Sequence, residues 1–108
     1  MSRYLDEDQA AADDLRIVHE PEQHRYAVYR RTADEDRLVG EAHYSLLGDE
    51  VIDFDHTLVL PELRGTGLSG LLARRALTGD AIGERRVNAS CWFIEGYLAR
   101  HPELLERE

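Results

Sequence analysis

Hydrophobic periodicity changes at Pro61. Residues Val51–Leu60 alternate between two faces, which is the period of a half-buried strand. The residues expected on one face of that strand are Ile52, Phe54, His56, Leu58 and Leu60. Beyond Pro61 the apolar residues recur at helical spacing, at Leu68, Leu71, Leu72, Ala76 and Leu77. The sequence therefore predicts a long strand, a turn and an amphipathic helix in that order.

Three shorter segments with strand composition precede this unit. Ile17–Glu20 and Arg25–Arg31 are separated by a proline-containing turn, and Leu38–Leu46 follows an acidic turn. Alternation along the third segment places these residues on one face: Leu38, Gly40, Ala42, Tyr44 and Leu46. Because a tight turn at Gly48 leads into the long strand, we predict four antiparallel strands.

The chain after the first helix predicts one more strand and one more helix. Arg86–Ser90 has strand composition, and Cys91–Arg100 places its apolar residues at helical spacing. Pro102 disfavours helical geometry at the residue before it, so this helix should break at His101. We predict an α+β fold with a mainly antiparallel sheet of about five strands and two to three helices.

The length of 108 residues leaves room for one domain. Residues 1–14 are acidic and offer little to bury, so we expect a mobile or loosely docked tail before a single domain at 15–108. The start of the chain does not resemble a signal peptide, and no apolar run is long enough for a membrane span. These features favour a cytoplasmic protein with no membrane partner.

Charge and cysteine content exclude several kinds of site. The net charge of −9 argues against a nucleic-acid partner, because phosphate backbones bind basic surfaces. Cys91 is the only cysteine, which excludes an internal disulfide and a multi-cysteine zinc site. The histidines and carboxylates show no metal-ligand spacing, so we expect no metal.

The segment Pro61–Gly70 joins the long strand to the first helix and is rich in glycine. Glycines allow positive φ and close approach of the backbone to a ligand, and the N-terminus of the helix favours an anion. With Arg64 beside it, this segment is suited to bind a pyrophosphate, although a simple turn is the alternative. The glycine spacing also fits a dinucleotide fingerprint, but too little chain follows to complete a nicotinamide-binding sheet. A GxxxxGK[ST] phosphate loop is absent, because the chain contains no lysine.

Several linked motifs resemble the GNAT superfamily of N-acetyltransferases, in particular its minimal-length branch of about 100 residues. His56-Thr57, Val59 and the run from Pro61 to Gly67 resemble the core motif of the superfamily. Cys91 and the later segment Tyr97–Glu103 resemble the minimal-length branch. The resemblance covers approximately residues 15 to 105. Two positions depart from it: Thr66 replaces a frequent basic residue, which is expected to weaken phosphate binding slightly, and Ala89 replaces a frequent proline.

This resemblance implies a site for acetyl-CoA between the fourth and fifth strands. Main-chain groups of Leu58, Val59 and Leu60 would pair with the pantetheine amides. The pyrophosphate would be bound by the loop residues Arg64, Gly65, Thr66, Gly67, Leu68, Ser69 and Gly70. The acetyl thioester would then lie near His56 and Cys91.

His56 and Cys91 are the catalytic candidates. On an apolar strand face His56 is either a buried core histidine or a general base that burial keeps neutral. Cys91 follows Ser90, a suitable N-cap, and a thiol at a helix N-terminus has more thiolate character. It would then accept the acetyl group covalently or give a proton to the departing CoA thiolate. The alternative is a small residue packed in the core.

These observations favour an acetyl-CoA-dependent N-acetyltransferase that acts on a primary amine of a small molecule or a protein. One alternative is a CoA-binding or sensing module without significant turnover, and another is a small interaction domain whose glycine loop is only a turn. The chain has no room for the N-terminal helices that shape the acceptor pocket of longer relatives. The acceptor site would therefore be open, or completed by a second copy in a homodimer.

Overall fold

A five-stranded sheet in the order β1-β2-β3-β4-β5 forms the centre of the protein, seen in a computed structural model that describes residues 4–105. The strands are β1 (Leu15–Glu20), β2 (Arg25–Arg31), β3 (Asp36–Leu47), β4 (Val51–Val59) and β5 (Arg86–Asn88). Neighbouring strands from β1 to β4 are antiparallel, whereas β5 pairs parallel to β4. This architecture confirms the predicted mainly antiparallel α+β fold.

Within the described residues, three α-helices accompany the sheet: α1 (Glu7–Ala12), α2 (Leu68–Thr78) and α3 (Trp92–Arg100). The apolar side of α2 joins one continuous core with Tyr26, Tyr44 and Phe54 from the sheet. Ile94 brings α3 into the same core. As predicted from Pro102, α3 ends immediately before His101, which is its C-cap residue.

Residues 4–14 of the acidic N-terminal segment are packed against the domain, in contrast to the mobile or loosely docked tail expected from composition; the first three residues of that prediction lie outside the described part of the chain. Asp6 caps α1 by accepting a hydrogen bond from the main-chain N–H of Gln9 at 2.8 Å. The side chains of Tyr4 and Ala10 are only 3% and 1% exposed. The acidic residues lie on the solvent side of a short helix, so average composition concealed the two residues that anchor it.

A bulge in β3 changes which of its residues are buried. In the pairing of β2 with β3, Val28 lies opposite Gly40, and the next residue, Tyr29, lies opposite Leu38. Val39 has no partner on β2 and is therefore the extra residue of the bulge. Val39 is consequently buried, whereas Leu38 is 41% exposed. The prediction that Leu38 shares one face with Gly40, Ala42, Tyr44 and Leu46 is therefore wrong for Leu38, because strict alternation does not continue through a bulge.

A second bulge lies in β4, the strand of the catalytic candidate His56, and it also changes which residues of its strand are buried. In the pairing of β3 with β4, His43 lies opposite His56, and the next residue, Tyr44, lies opposite Phe54. Asp55 has no partner on β3 and is therefore the extra residue of the bulge. Phe54 is buried before the bulge and Val59 after it. His56 and Leu58 are exposed. The prediction of a buried His56 on an apolar face is therefore wrong.

Candidate functional site

A cleft opens where β4 and β5 separate. The two strands pair only from Val51 to Asp53 on β4, and the main-chain N–H of Cys91 donates to the carbonyl of Phe54 at 3.0 Å just beyond. The space that follows measures about 440 Å³. It is lined by Thr57, Leu58, Val59, Arg64, Ser69, Cys91, Trp92 and Phe93. Five of these residues were predicted to bind acetyl-CoA or to act on it: Leu58, Val59, Arg64, Ser69 and Cys91.

Asp53 is the last residue of β4 that pairs with β5, next to the end of the cleft that holds Cys91, which we call the apex. Its carboxylate accepts hydrogen bonds from the main-chain N–H and the hydroxyl of Ser90, at 2.9 and 2.7 Å. It also accepts a hydrogen bond from the side-chain amide of Asn88 at 3.3 Å. These contacts fasten the turn after β5 to β4, and they hold the residue that follows Ser90 in place.

Cys91 lies at the apex, half-buried. Its thiol donates a 3.5 Å hydrogen bond to the hydroxyl of Thr57 on the opposite wall. Cys91 is itself the N-cap residue of α3 and Trp92 is the first helical residue, whereas the sequence predicted Ser90 as the cap. Ser90 does not cap the helix because its hydroxyl is hydrogen-bonded to Asp53.

The main chain of β4 presents hydrogen-bonding groups to the cleft. The N–H of Leu60 donates to the carbonyl of Val39 at 3.0 Å, so the main-chain groups of Leu60 and, by alternation, Leu58 face β3. Those of Thr57 and Val59 therefore face the cleft, and the Arg64 Nε–H donates to the carbonyl of Val59 at 3.4 Å. Of the three predicted main-chain partners, Val59 has this orientation, whereas Leu58 contributes its side chain.

The glycine-rich loop forms the wide end of the cleft. Gly65 and Gly67 have φ values of +80° and +92°, a region that other residues adopt only with strain. Thr66 is buried between them; its hydroxyl donates to the carbonyl of Leu63 at 2.6 Å and accepts from the N–H of Leu68 at 3.3 Å. Thr66 therefore serves as a structural residue of the loop.

The first turn of α2 completes this end of the cleft. By helix geometry, the first main-chain N–H groups of α2 have no acceptor within the helix. The side chain of Leu68 is fully buried and its N–H already donates to the Thr66 hydroxyl, so Leu68 offers a ligand neither of these groups. Ser69 lines the cleft, and a Cβ at Gly70 would lie 3.6 Å from the ring of Tyr97. With Arg64 opposite, this arrangement favours an anion.

His56 lies on the polar face of the sheet, beside a hydrogen-bonded group that the sequence did not reveal. His43 faces His56 across the strands, and its Nδ1 lies 2.7 Å from Asp55 Oδ1. The Ser45 hydroxyl donates to Asp55 Oδ2 at 2.6 Å. Burial acts to raise the pKa of Asp55, but the hydrogen bonds from Ser45 and His43 outweigh it and lower that pKa. The bulge in β4 brings Asp55 to His43 and Ser45. The alternation of residues along the sequence does not predict a bulge, so this group could not be found from the sequence.

Among residues 4–105, the side chain of His56 has no hydrogen-bond partner within the chain, and no cluster of three or more histidine, cysteine or carboxylate ligands for a metal is present. Its side chain points to the face of β4 opposite that of Thr57. The structure therefore places the two catalytic candidates on different walls: Cys91 in the cleft and His56 on the exposed face next to it.

Comparison with known proteins agrees with this architecture. Residues 25–107 match the family described as GCN5-related N-acetyl-transferase. The chain belongs to this family. The mouse protein NATD1 is 30% identical over 95 residues, which cover 86% of this chain and 84% of that protein. Human NATD1 is also 30% identical over 95 residues, with 81% of its length covered.

A solved structure supports the fold independently. A GCN5-like protein from Staphylococcus aureus, determined by NMR, aligns with a TM-score of 0.62 at 21% identity and with 84% of each chain covered. Within the described part of the chain, none of the helices has the length and apolar character to cross a membrane. The fold and family together support an acetyltransferase-like role.

Proposed function

We propose that the protein transfers an acetyl group from acetyl-CoA to a primary amine. The observation that carries this proposal is the union of three features in one cleft: an anion-binding loop, outward main-chain groups on β4 and a thiol at the apex. An acyl-CoA thioester has matching parts in the same order, namely a pyrophosphate, an arm with amide groups and a reactive carbonyl.

Acetyl-CoA would bind along the length of the cleft. The main-chain groups of Val59 would pair with an amide of the pantetheine arm, as a neighbouring strand would. Arg64, which now donates to the Val59 carbonyl, would turn to the pyrophosphate. That exchange replaces a long hydrogen bond to a neutral carbonyl with a charge-assisted one, and it leaves the carbonyl of Val59 for the ligand.

The acceptor amine would enter at the apex from the exposed face of β4. His56 is available there as the base that removes a proton from the ammonium group. The mouth of the cleft carries two exposed apolar side chains, Leu58 at 44% and Trp92 at 82%. Such an open entrance accommodates an amine on a small molecule or on a protein side chain.

Cys91 has two chemically balanced roles in this reaction. In the first, the Cys91 thiol attacks the thioester carbonyl and its proton leaves with CoA, which departs as the free thiol; the amine, which has given its ammonium proton to His56, then attacks the S-acetyl-cysteine, and the departing Cys91 sulfur takes up the proton that the amine nitrogen loses. In the second, the amine attacks the thioester directly, the Cys91 S–H protonates the departing CoA thiolate, and the proton that the amine nitrogen loses returns to Cys91. The hydrogen bond to Thr57 shows that the thiol has a defined orientation in the cleft.

The test is calorimetric titration with acetyl-CoA, followed by assays of acetyl-CoA consumption with a panel of primary amines. We expect saturable binding, its loss in Gly67→Glu, and amine-dependent turnover that requires Cys91 and His56. Binding without turnover, unaffected by Cys91→Ala and His56→Ala, would identify a CoA-binding module instead. No binding at millimolar acetyl-CoA would contradict both functions.

A further inference from the structure

A contact with the N-terminal segment holds the glycine-rich loop. The main-chain N–H of Tyr4 donates to the carbonyl of Thr66 at 2.8 Å. Thr66 lies between the two glycines with positive φ, in the loop proposed to bind pyrophosphate. Tyr4 itself lies outside residues 25–107, the range matched by the family.

The contact determines the direction of a neighbouring N–H group. In a trans peptide the C=O and the N–H point in opposite directions. Because the Thr66 carbonyl is directed at Tyr4, the N–H of Gly67 points away from the N-terminal segment. The hydroxyl of Thr66, bonded to Leu63 and Leu68, prevents the peptide from turning over. Gly67 is half-buried, unlike its fully or nearly fully buried neighbours Thr66 and Leu68.

The N-terminal segment, residues 4–13, is anchored well enough to act on the loop. Tyr4 is 3% exposed, and its hydroxyl donates to Asp13 Oδ2 at 2.6 Å. Gln9 Oε1 accepts from the N–H of Leu5 at 2.7 Å. Arg75 on α2 forms an ion pair with Glu7 on α1. These contacts join the segment both to itself and to the helix that follows the loop.

We propose that the N-terminal segment, through Tyr4 as a positioning residue, orients the N–H of Gly67 toward the pyrophosphate of acetyl-CoA. The inference rests on the proposed function, because it concerns the same loop. It predicts that the segment matters for the phosphate-bearing part of the ligand only. The pantetheine arm binds along β4, which the N-terminal segment does not position.

The experiment compares acetyl-CoA with S-acetylpantetheine, which has the same arm and thioester but no pyrophosphate. Each ligand is scored by how well it protects Cys91, the single cysteine, from a thiol reagent, and acetyl-CoA also by calorimetry. Tyr4→Ala and a chain lacking residues 1–12 are compared with Tyr29→Ala, a tyrosine bonded to Glu20 at 2.6 Å on the opposite face. Amide hydrogen exchange at Gly67 is followed in parallel.

We expect Tyr4→Ala to weaken acetyl-CoA binding about tenfold. This is the effect of losing one hydrogen bond to a charged group, because the N–H of Gly67 would no longer be directed at the pyrophosphate. S-acetylpantetheine should protect Cys91 as in the wild type, and exchange at Gly67 should accelerate. Tyr4→Phe, which keeps the ring and loses only the bond to Asp13, should show the same pattern more weakly. It keeps the test decisive if Tyr4→Ala does not fold.

Three results would overturn the inference. The first is acetyl-CoA affinity within about twofold of the wild type in every Tyr4 variant. The second is an equal loss for both ligands, which reports general destabilisation. The third is unchanged exchange at Gly67. If the wild type binds no acetyl-CoA, the proposed function fails first; accelerated exchange at Gly67 in Tyr4→Ala would then still show the segment acting on the loop.

Discussion

The two ends of the cleft are built from different parts of the polypeptide. At the wide end, the loop around Gly65 and Gly67 offers main-chain N–H groups, and its shape depends on positive φ values. At the apex, the geometry depends on side chains: Asp53 holds Ser90, and Cys91 faces Thr57. The wide end should therefore be sensitive to any added Cβ, and the apex to the loss of particular polar groups.

This difference separates binding from chemistry. The loop is placed to contribute equally to the ground state and the transition state, so its damage should appear in affinity. The apex lies where the reacting carbonyl would be, so its damage should appear in turnover. Variants of the loop, of the apex and of the neighbouring polar group test that division.

Gly67→Glu should have the largest effect on acetyl-CoA binding. The residue has φ +92° beside the first N–H groups of α2, and a carboxylate there would repel the pyrophosphate. We expect affinity to fall about 100-fold or more, measured by calorimetry. Gly48→Glu is the matched control, because Gly48 has φ +71° in the turn between β3 and β4. Equal losses in both variants would refute a specific role for the loop.

Cys91→Ala and His56→Gln should lower turnover and leave binding nearly intact. Removing a group that transfers a proton or carries the acetyl group typically costs about 100-fold or more in rate. The affinity for acetyl-CoA should change by no more than about threefold in either variant. Measuring kcat with a reactive amine beside the calorimetric Kd separates the two effects. A fall in affinity with unchanged kcat would show that these residues bind ligand and take no part in chemistry.

Asp53→Ala should act on the apex without acting on the loop. The variant loses three hydrogen bonds to Ser90 and Asn88, which we expect to cost about 1–2 kcal/mol in the free energy of unfolding. With the turn released, Cys91 should react faster with a thiol reagent in the absence of ligand. Asp49→Ala, in an exposed turn, is the control. An unchanged thiol reaction rate would mean that Asp53 does not position Cys91.

The smallest effect concerns Asp55 and pH. Its pKa is lowered in the folded protein, so the stability it contributes is present above its unfolded pKa of about 3.9 and is lost as pH falls through the folded value. Ser45→Ala removes one of the two hydrogen bonds that lower this pKa. The variant should therefore lose less stability than the wild type on acidification, by under about 1 kcal/mol. Urea unfolding between pH 3 and 7 measures the difference, and parallel pH profiles would argue against it.

Much of the fold was readable from local patterns. The predicted strand at Arg25–Arg31 and the helix ending before Pro102 agree with the structure. Alternation, proline geometry and helical spacing depend on residues within a few positions of one another, so they carry over directly from sequence to structure. The glycine-rich loop is similarly local, because its shape depends on the conformational freedom of Gly65 and Gly67.

The composition of the site was less readable. His56 was expected among apolar neighbours, but the bulge at Asp55 turns it outward and brings Asp55 to His43. In the same way, the bulge at Val39 buries Val39 and leaves Leu38 exposed, although alternation placed Leu38 on the face of the buried residues Ala42 and Tyr44. A bulge depends on how two strands pair, which is information that neither strand contains alone.

Local sequence patterns were enough to predict the order of the five strands with α2 and α3, the glycine-rich loop and a thiol at the start of α3. Tertiary structure decided where β4 and β5 separate, which face His56 occupies and how residues 4–13 reach the loop. The contact between Tyr4 and Thr66 joins residues 62 positions apart, the difference between 66 and 4. Local patterns arise from the stereochemistry of neighbouring residues, whereas such contacts form only when the core brings distant segments together.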